Sequence, residues 1–274
     1  MRIVINPLRR SGKPSGNTRM NIRSGSKLLF PGWNCIFKLI HPVKTTLFQS
    51  FTKHQIATAI AVFFHAVGMV GLLYYDRGFF IQATPFNLLL SFALLLWTQE
   101  DKNISFFLFF GACFLTGFAA EVIGVNTGML FGDYRYGDVL GYKAWGVPLL
   151  IGVNWFLIVY CCGISIHTLL RRLLNRLHEN GGKPVPALKA LSVIVDGASL
   201  AVFFDWLMEP VAVKLGYWTW AGDIPFFNYL CWFIISLLLL AIFHRVKFSK
   251  QNKFAVHLLL IQLMFFLVLR AFMK

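Results

Sequence analysis

Charge is scarce in this chain. Asp, Glu, Lys and Arg make up 14% of its 274 residues, against about 25% in soluble domains. Acids are scarcer still, 11 against 26 Lys plus Arg. So little charge excludes an ordinary water-solvated globular surface. Cofactor signatures are missing too: there is no G-x-G-x-x-G, P-loop, H-E-x-x-H or haem-attachment motif, which leaves nucleotide, zinc and haem chemistry without a sequence basis. No paired His/Asp constellation and no D-D-x-x-D cluster is present, so neither a metal nor a cofactor is expected. The five cysteines, Cys35, Cys113, Cys161, Cys162 and Cys231, form no C-x-x-C pair. Most sit in apolar runs, where a thiol behaves as a small hydrophobe. The net charge of +15 comes without nucleic-acid motifs, so no nucleic-acid partner is expected. Short segments of alternating polarity are absent as well, which excludes a membrane β-barrel.

What the chain has is apolar length. Hydrophobic residues are 57% of it and Phe alone occurs 29 times. Unbroken apolar runs after residue 55 predict an all-α polytopic membrane helix bundle. Seven spans are expected, near 55–75, 85–98, 104–125, 147–170, 188–213, 226–243 and 254–272. The second is short. With the N-terminus inside, 20 of the 26 basic residues fall on the cytoplasmic side and Arg77, Arg135, Lys143, Lys214, Arg270 and Lys274 on the other. That asymmetry predicts an N-inside, C-outside orientation and favours an odd number of spans. An integral, multi-pass protein of the bacterial inner (plasma) membrane is expected, with membrane lipid around it.

Residues 1–54 stand apart from the bundle at 55–274. They hold ten Lys/Arg and no acid, and their early part is rich in Ser, Gly, Asn and Arg. Disorder is expected there. Three readings remain open: a basic tail on anionic lipid, an organelle transit peptide, or translation from a start upstream of the true one, with Met20 a later candidate.

Four carboxylates lie inside the apolar stretches: Glu121, Asp196, Asp205 and Glu209. An acid in hydrocarbon is expensive, so it faces a bundle interior or a wet cavity and marks function. Gly117, Glu121 and Gly124 share one helix face by spacing, and glycines admit a close neighbour. Gly197, Ala201, Asp205 and Glu209 share another, followed by Pro210, which frees a backbone carbonyl. Asp196 falls on a different stripe. The polar segment from Asn126 through Tyr134 to Tyr136 reads as an interfacial loop or a cavity mouth. Asn154 and Trp155 in the fourth span, and Trp218 in the aromatic run 216–220, are candidates to line a site, or to be a helix–helix hydrogen bond and an interfacial belt. His65, midway along the first span, is either a packing element or a base. The acids could equally form a structural network with Arg135, Lys143 or Lys214.

These residues carry a resemblance. Glu121, Gly124, Asn126, Gly128, Phe131-Gly132, Tyr134, Tyr136, Gly146, Pro148 and Trp155, then Asp205, Glu209-Pro210, Trp218, Trp220, Ile224-Pro225, Asn228 and Trp232, resemble the carotenoid biosynthesis membrane family over about residues 55–272. That family includes carotenoid 1,2-hydratases and bisanhydrobacterioruberin hydratases. Two positions depart from its pattern: Glu209 stands where an aspartate is expected, and Cys231 where a glycine is.

The resemblance implies cofactor-free addition of water to the terminal C1,C2 double bond of an acyclic carotenoid end, giving a tertiary alcohol. It also implies a lipophilic carotenoid substrate and other carotenoid-pathway enzymes as partners. An acid in apolar surroundings can keep its proton near neutral pH and donate it to an alkene. Asp205 or Glu121 is expected to be that donor. Glu209 or the other acid would place the water, helped by Asn126, Tyr134, Tyr136 and Asn154, with Trp155 and Trp218 along the hydrocarbon. Alternatives are a proton-coupled transporter, a non-catalytic carotenoid or prenyl-lipid binder, and a cyclase-like reaction through the same cation.

Overall fold

Thr52 caps the first helix. Its hydroxyl accepts from the Gln55 N–H, and the Gln55 side chain reaches back to the Thr52 backbone. This reciprocal pair satisfies two otherwise orphaned donors and starts α1 (Lys53–Tyr74). A computed structural model of the chain describes residues 51–179 and 186–273. The expectations for residues 1–50 of the basic N-terminal region, Cys35 included, lie outside these residues, while its last residues form the cap and first turn of α1. After α1, Asp76 caps a short α2 (Arg77–Gln82), and α3 (Thr84–Thr98) and α4 (Ile104–Thr127) follow. Next come β1 (Tyr134–Tyr136), β2 (Lys143–Ala144) and β3 (Val147–Pro148), then α5 (Leu150–Glu179) and α6 (Pro186–Lys214). β4 (Trp218–Trp220), α7 (Phe226–Arg245) and α8 (Lys253–Phe272) complete the order.

Among the described residues, six helices (α1 and α4 to α8) are long and apolar enough to cross a membrane. The seventh expected span exists as α3, but its 15 residues reach only about 22 Å, short of a hydrocarbon core of about 30 Å. The fourth span begins later than expected. Trp145 and Gly146 take positive φ angles of 51° and 83°, which turns the chain into a β2–β3 hairpin, Ala144 opposite Val147. Helix α5 starts only after it.

α5 is the hub of the bundle. Its residues from Trp155 to Cys162 are almost wholly shielded, because α3, α4, α6, α7 and α8 all pack on it. A helix apolar all round belongs in this position. The remaining long helices each keep an exposed apolar side, among them Val62, Leu115, Leu238 and Leu260, as lipid-facing helices do. One end of the core is aromatic. Phe106, Phe109, Phe156, Phe243 and Phe248 meet at ring separations of 5.5 to 6.1 Å, mostly edge to face, a geometry worth about 0.5–1.5 kcal/mol per pair beyond burial. Beneath it, polar side chains tie two loops together. Gln99 accepts from the Tyr160 hydroxyl and donates to the Ser249 carbonyl at 2.9 Å. Asn103 donates to the Lys247 carbonyl at 2.9 Å, and Asn252 to the Thr98 hydroxyl at 3.1 Å while capping α8.

Pro210 lies inside α6. Having no N–H, it leaves the Trp206 carbonyl, four residues back, without its helical donor. Arg270 of α8 supplies one, its Nη1 donating to that oxygen at 2.9 Å, with the guanidinium 4.0 Å over the Trp206 ring. We expect Arg270→Met to keep the apolar stem and lose this donor, destabilising the bundle by about 1–2 kcal/mol. Thermal unfolding in detergent micelles should register a lower midpoint, and an unchanged midpoint would show that solvent replaces the guanidinium.

Candidate active site

Helix geometry brings the acids together. Glu121 projects from α4, and the glycines on either side of it explain how it is reached. A Cβ at Gly117 would fall 2.2 Å from the Trp155 ring, and one at Gly124 would fall 2.9 Å from the Tyr134 hydroxyl. Only glycine lets both side chains close on the carboxylate. The Trp155 indole N–H donates to Glu121 Oε1 at 3.0 Å. The Tyr134 hydroxyl donates to Oε2 in a very short bond, and the Tyr136 hydroxyl donates to the same oxygen at 2.8 Å.

Those tyrosines arrive on a ribbon. Gly128 ends α4 in the left-handed region at φ 67°, its N–H closing on the Gly124 carbonyl. The chain then reverses through Phe131 and Gly132, also at positive φ, and β1 runs antiparallel to β4. Tyr134 faces Trp220, Arg135 faces Thr219 and Tyr136 faces Trp218. Side chains alternate along a strand, so the four aromatics share one face and Arg135 and Thr219 the other. The inner face does polar work: Trp218 and Trp220 donate their indole N–H groups to Glu209 Oε2 at 2.9 and 3.0 Å. Four donors from one two-stranded ribbon thus serve two carboxylates on two helices. Burial, followed by the charge of Glu121, pushes the Tyr134 and Tyr136 hydroxyls far above the usual phenol range. They remain protonated donors at any physiological pH.

Asp205, one helical turn before Glu209, is 1% exposed. Asn228 of α7 donates to its Oδ2 at 2.8 Å, and its Oδ1 is buried with no partner among the described residues. Glu121, Asp205 and Glu209 line one cavity of about 20 Å³, with Tyr134, Tyr136, Asn154, Trp155 and Trp218 around it. That is room for about one water. Trp155 and Trp232 stack on one wall, ring centres 3.9 Å apart and nearly parallel.

A second cavity of about 90 Å³ adjoins the first and shares Ile151, Asn154, Met208 and Trp218 with it. Its far side is formed by Leu88, Ser91, Phe204 and Phe265, with His65 among the lining residues. His65 Nδ1 donates to the Ala61 carbonyl at 2.8 Å, so His65 borders the chamber, not the acids.

One expectation needs correction. Asn126 is exposed and donates to the Val122 and Trp145 carbonyls at 2.8 and 2.9 Å. It fastens the end of α4 to the β2–β3 turn and lines neither cavity. Of the two readings open for the aromatic segments at 134–136 and 218–220, a cavity lining and an interfacial belt, the geometry favours the first, because the ribbon turns Tyr134, Tyr136, Trp218 and Trp220 inward. The alternative of a salt-bridge network finds no support in Lys143, which pairs with Asp138 at 2.7 Å, nor in Lys214, which donates to the Met273 carbonyl. Asp196 is exposed on another face of α6. Trp220, Asn228 and Trp232 belong to the cavity; in the sequence Trp220 stood in the aromatic run 216–220, whereas Asn228 and Trp232 stood out only through the family resemblance. Asn228 sits in an otherwise apolar run, and a lone amide there was the available signal.

Fold and cavity together define a polytopic membrane protein whose buried acids are held by aromatic donors. The chain belongs to the family described as carotenoid biosynthesis protein, which matches residues 84–274. It is similar to a bisanhydrobacterioruberin hydratase of Haloarcula japonica, 25% identical over 214 residues that cover 73% of this chain and 68% of that protein. No solved structure matches.

Trp218→Phe and Trp220→Phe each remove one donor from Glu209. Each should cost about 1–3 kcal/mol, and the double variant more than the sum, since the carboxylate then has neither indole. Unfolding midpoints of the three variants check this; strict additivity would mean that water replaces the indoles.

Proposed function

We propose that the protein is a hydratase of carotenoid biosynthesis, adding water across the terminal C1,C2 double bond of an acyclic end group without a cofactor. One observation carries this reading: three buried carboxylates surround a cavity the size of a water molecule, beside a chamber large enough for a branched alkene end. Membership of a carotenoid biosynthesis family and similarity to a protein named as a hydratase support it.

The roles follow from which oxygens are already engaged. Glu121 receives three hydrogen bonds, a set suited to an ionised carboxylate. Asp205 has one donor and an oxygen with no partner, so it is the acid with room for a proton. In the reaction, Asp205 Oδ1 gives its proton to C2, and the alkene π electrons form the new C–H bond. The tertiary cation left at C1 is stabilised by the Glu121 charge and by the stacked Trp155 and Trp232 faces. A water accepted by Glu209 Oε1, the oxygen not bound by the indoles, adds to C1 and loses a proton to Glu209. Proton return to Asp205 closes the cycle, with one water consumed. The basic loops would lie on the cytoplasmic face of the plasma membrane, with the acid end toward the opposite side.

Asp205→Asn should lower hydration by at least about a hundredfold while the protein still accumulates in membranes. The assay is pigment chromatography with mass spectrometry in a bacterial host that makes an acyclic carotene. A product heavier by one water is expected from the unaltered chain. Full turnover by Asp205→Asn would remove it as the donor, and an unchanged pigment with well-expressed protein would favour binding or transport over hydration.

A further inference from the structure

The reacting end of a long polyene fits the chamber, but its remaining length does not. The structure has a continuation for it. Beyond the chamber lies a cavity of about 270 Å³ between α1, α2 and α3, sharing Thr84, Asn87 and Phe265 with the chamber. Its other walls are almost entirely apolar, with Phe64, Phe79, Phe80 and Phe86 the large members. Phe79 and Phe86 are 64% and 58% exposed, which places the outer end of this groove on the lipid-facing surface. The Phe64 and Phe86 rings meet at 5.9 Å across the α1–α3 seam. Gly68 forms part of the floor, and a Cβ there would meet only Phe265, at 3.9 Å.

We infer that this groove is the binding site for the unreacted hydrocarbon of the substrate and its lateral entrance from the bilayer, with Phe265 at the boundary between groove and chamber. The inference rests on the hydration reading for its occupant, a linear apolar polyene. Three observations select this path. The groove is continuous with the chamber through three shared residues, and the chamber with the acid cavity through four. The lining is aromatic, which suits the flat faces of a conjugated chain. A competing groove of about 340 Å³ on the other side of α1, against α8, shares only His65 and Phe265 with the chamber.

Gly68→Trp would fill the groove, and Met69→Trp would fill the competing groove instead. Each variant is expressed as the full chain and assayed on a long acyclic polyene and on a short acyclic terpene with the same end group. Polyene retained per purified protein is read separately. For Gly68→Trp we expect kcat/KM on the polyene to fall about tenfold or more, retained polyene to fall with it, and turnover of the short terpene to persist. Met69→Trp should behave as the unaltered chain. The inference is overturned if Gly68→Trp matches the unaltered protein on the polyene, if it loses the short terpene equally, or if Met69→Trp is the variant that loses the polyene. Should the unaltered protein retain polyene but hydrate nothing, the hydration reading fails alone, and the retention ratios still decide the groove. A chain that neither retains nor converts polyene overturns both.

Discussion

Carboxylates do not stay in an apolar bundle unless something compensates the water they lose. Here the compensation comes from neutral donors rather than from lysine or arginine. Three hydrogen bonds reach Glu121 and two reach Glu209, and four of the five come from one antiparallel ribbon. The choice has a chemical consequence. A salt bridge would cancel the negative charge, whereas phenol and indole donors localise it and leave it available to a cation. The ribbon depends in turn on backbone that only small residues permit: the left-handed Gly128, the turn through Gly132, and the bare faces of Gly117 and Gly124.

Helices and ribbon divide the labour. The helices set where the acids stand, because α4 and α6 both pack on the buried α5. The ribbon sets which oxygens remain free. Both indoles fall on Glu209 Oε2 and both phenols on Glu121 Oε2, which polarises each carboxylate into an engaged and a less engaged oxygen. Asp205 is the exception, held by a single amide from α7. A bundle of interchangeable acids would have no direction. This arrangement gives each acid a different set of donors: three on Glu121, two on Glu209 and one on Asp205.

Much of this was legible in the sequence, for identifiable reasons. Long apolar runs fix helices almost regardless of context, so each of the seven expected spans coincides with a helix, most to within a few residues, while α5 runs on to Glu179, past the expected end at 170. Glu121, Asp205 and Glu209 stood out because acids are so rare in such runs, and glycine spacing correctly put Gly117 and Gly124 on the face of Glu121. The failures are equally instructive. α3 resembled a span by composition, but its 15 residues make it shorter than the six long helices. The ribbon was invisible because three-residue strands carry no periodicity to read, and Tyr-Arg-Tyr and Trp-Thr-Trp look the same whether they face a membrane interface or a cavity. Asn126 misled because a polar residue beside a buried acid resembles a ligand-binding group, whereas the local turn geometry claims it as a staple.

The contact between Arg270 and the Trp206 carbonyl gives the end of α8 a mechanical connection to the acid-bearing helix. Proline removed a rigid internal link from α6 one residue after Glu209, and an arginine from another helix replaced it with a tether. The helical ladder of α6 is thus interrupted at the turn that carries Asp205 and Glu209, and its missing donor there belongs to a neighbouring helix, so the geometry of that turn is a property of two helices and not of α6 alone.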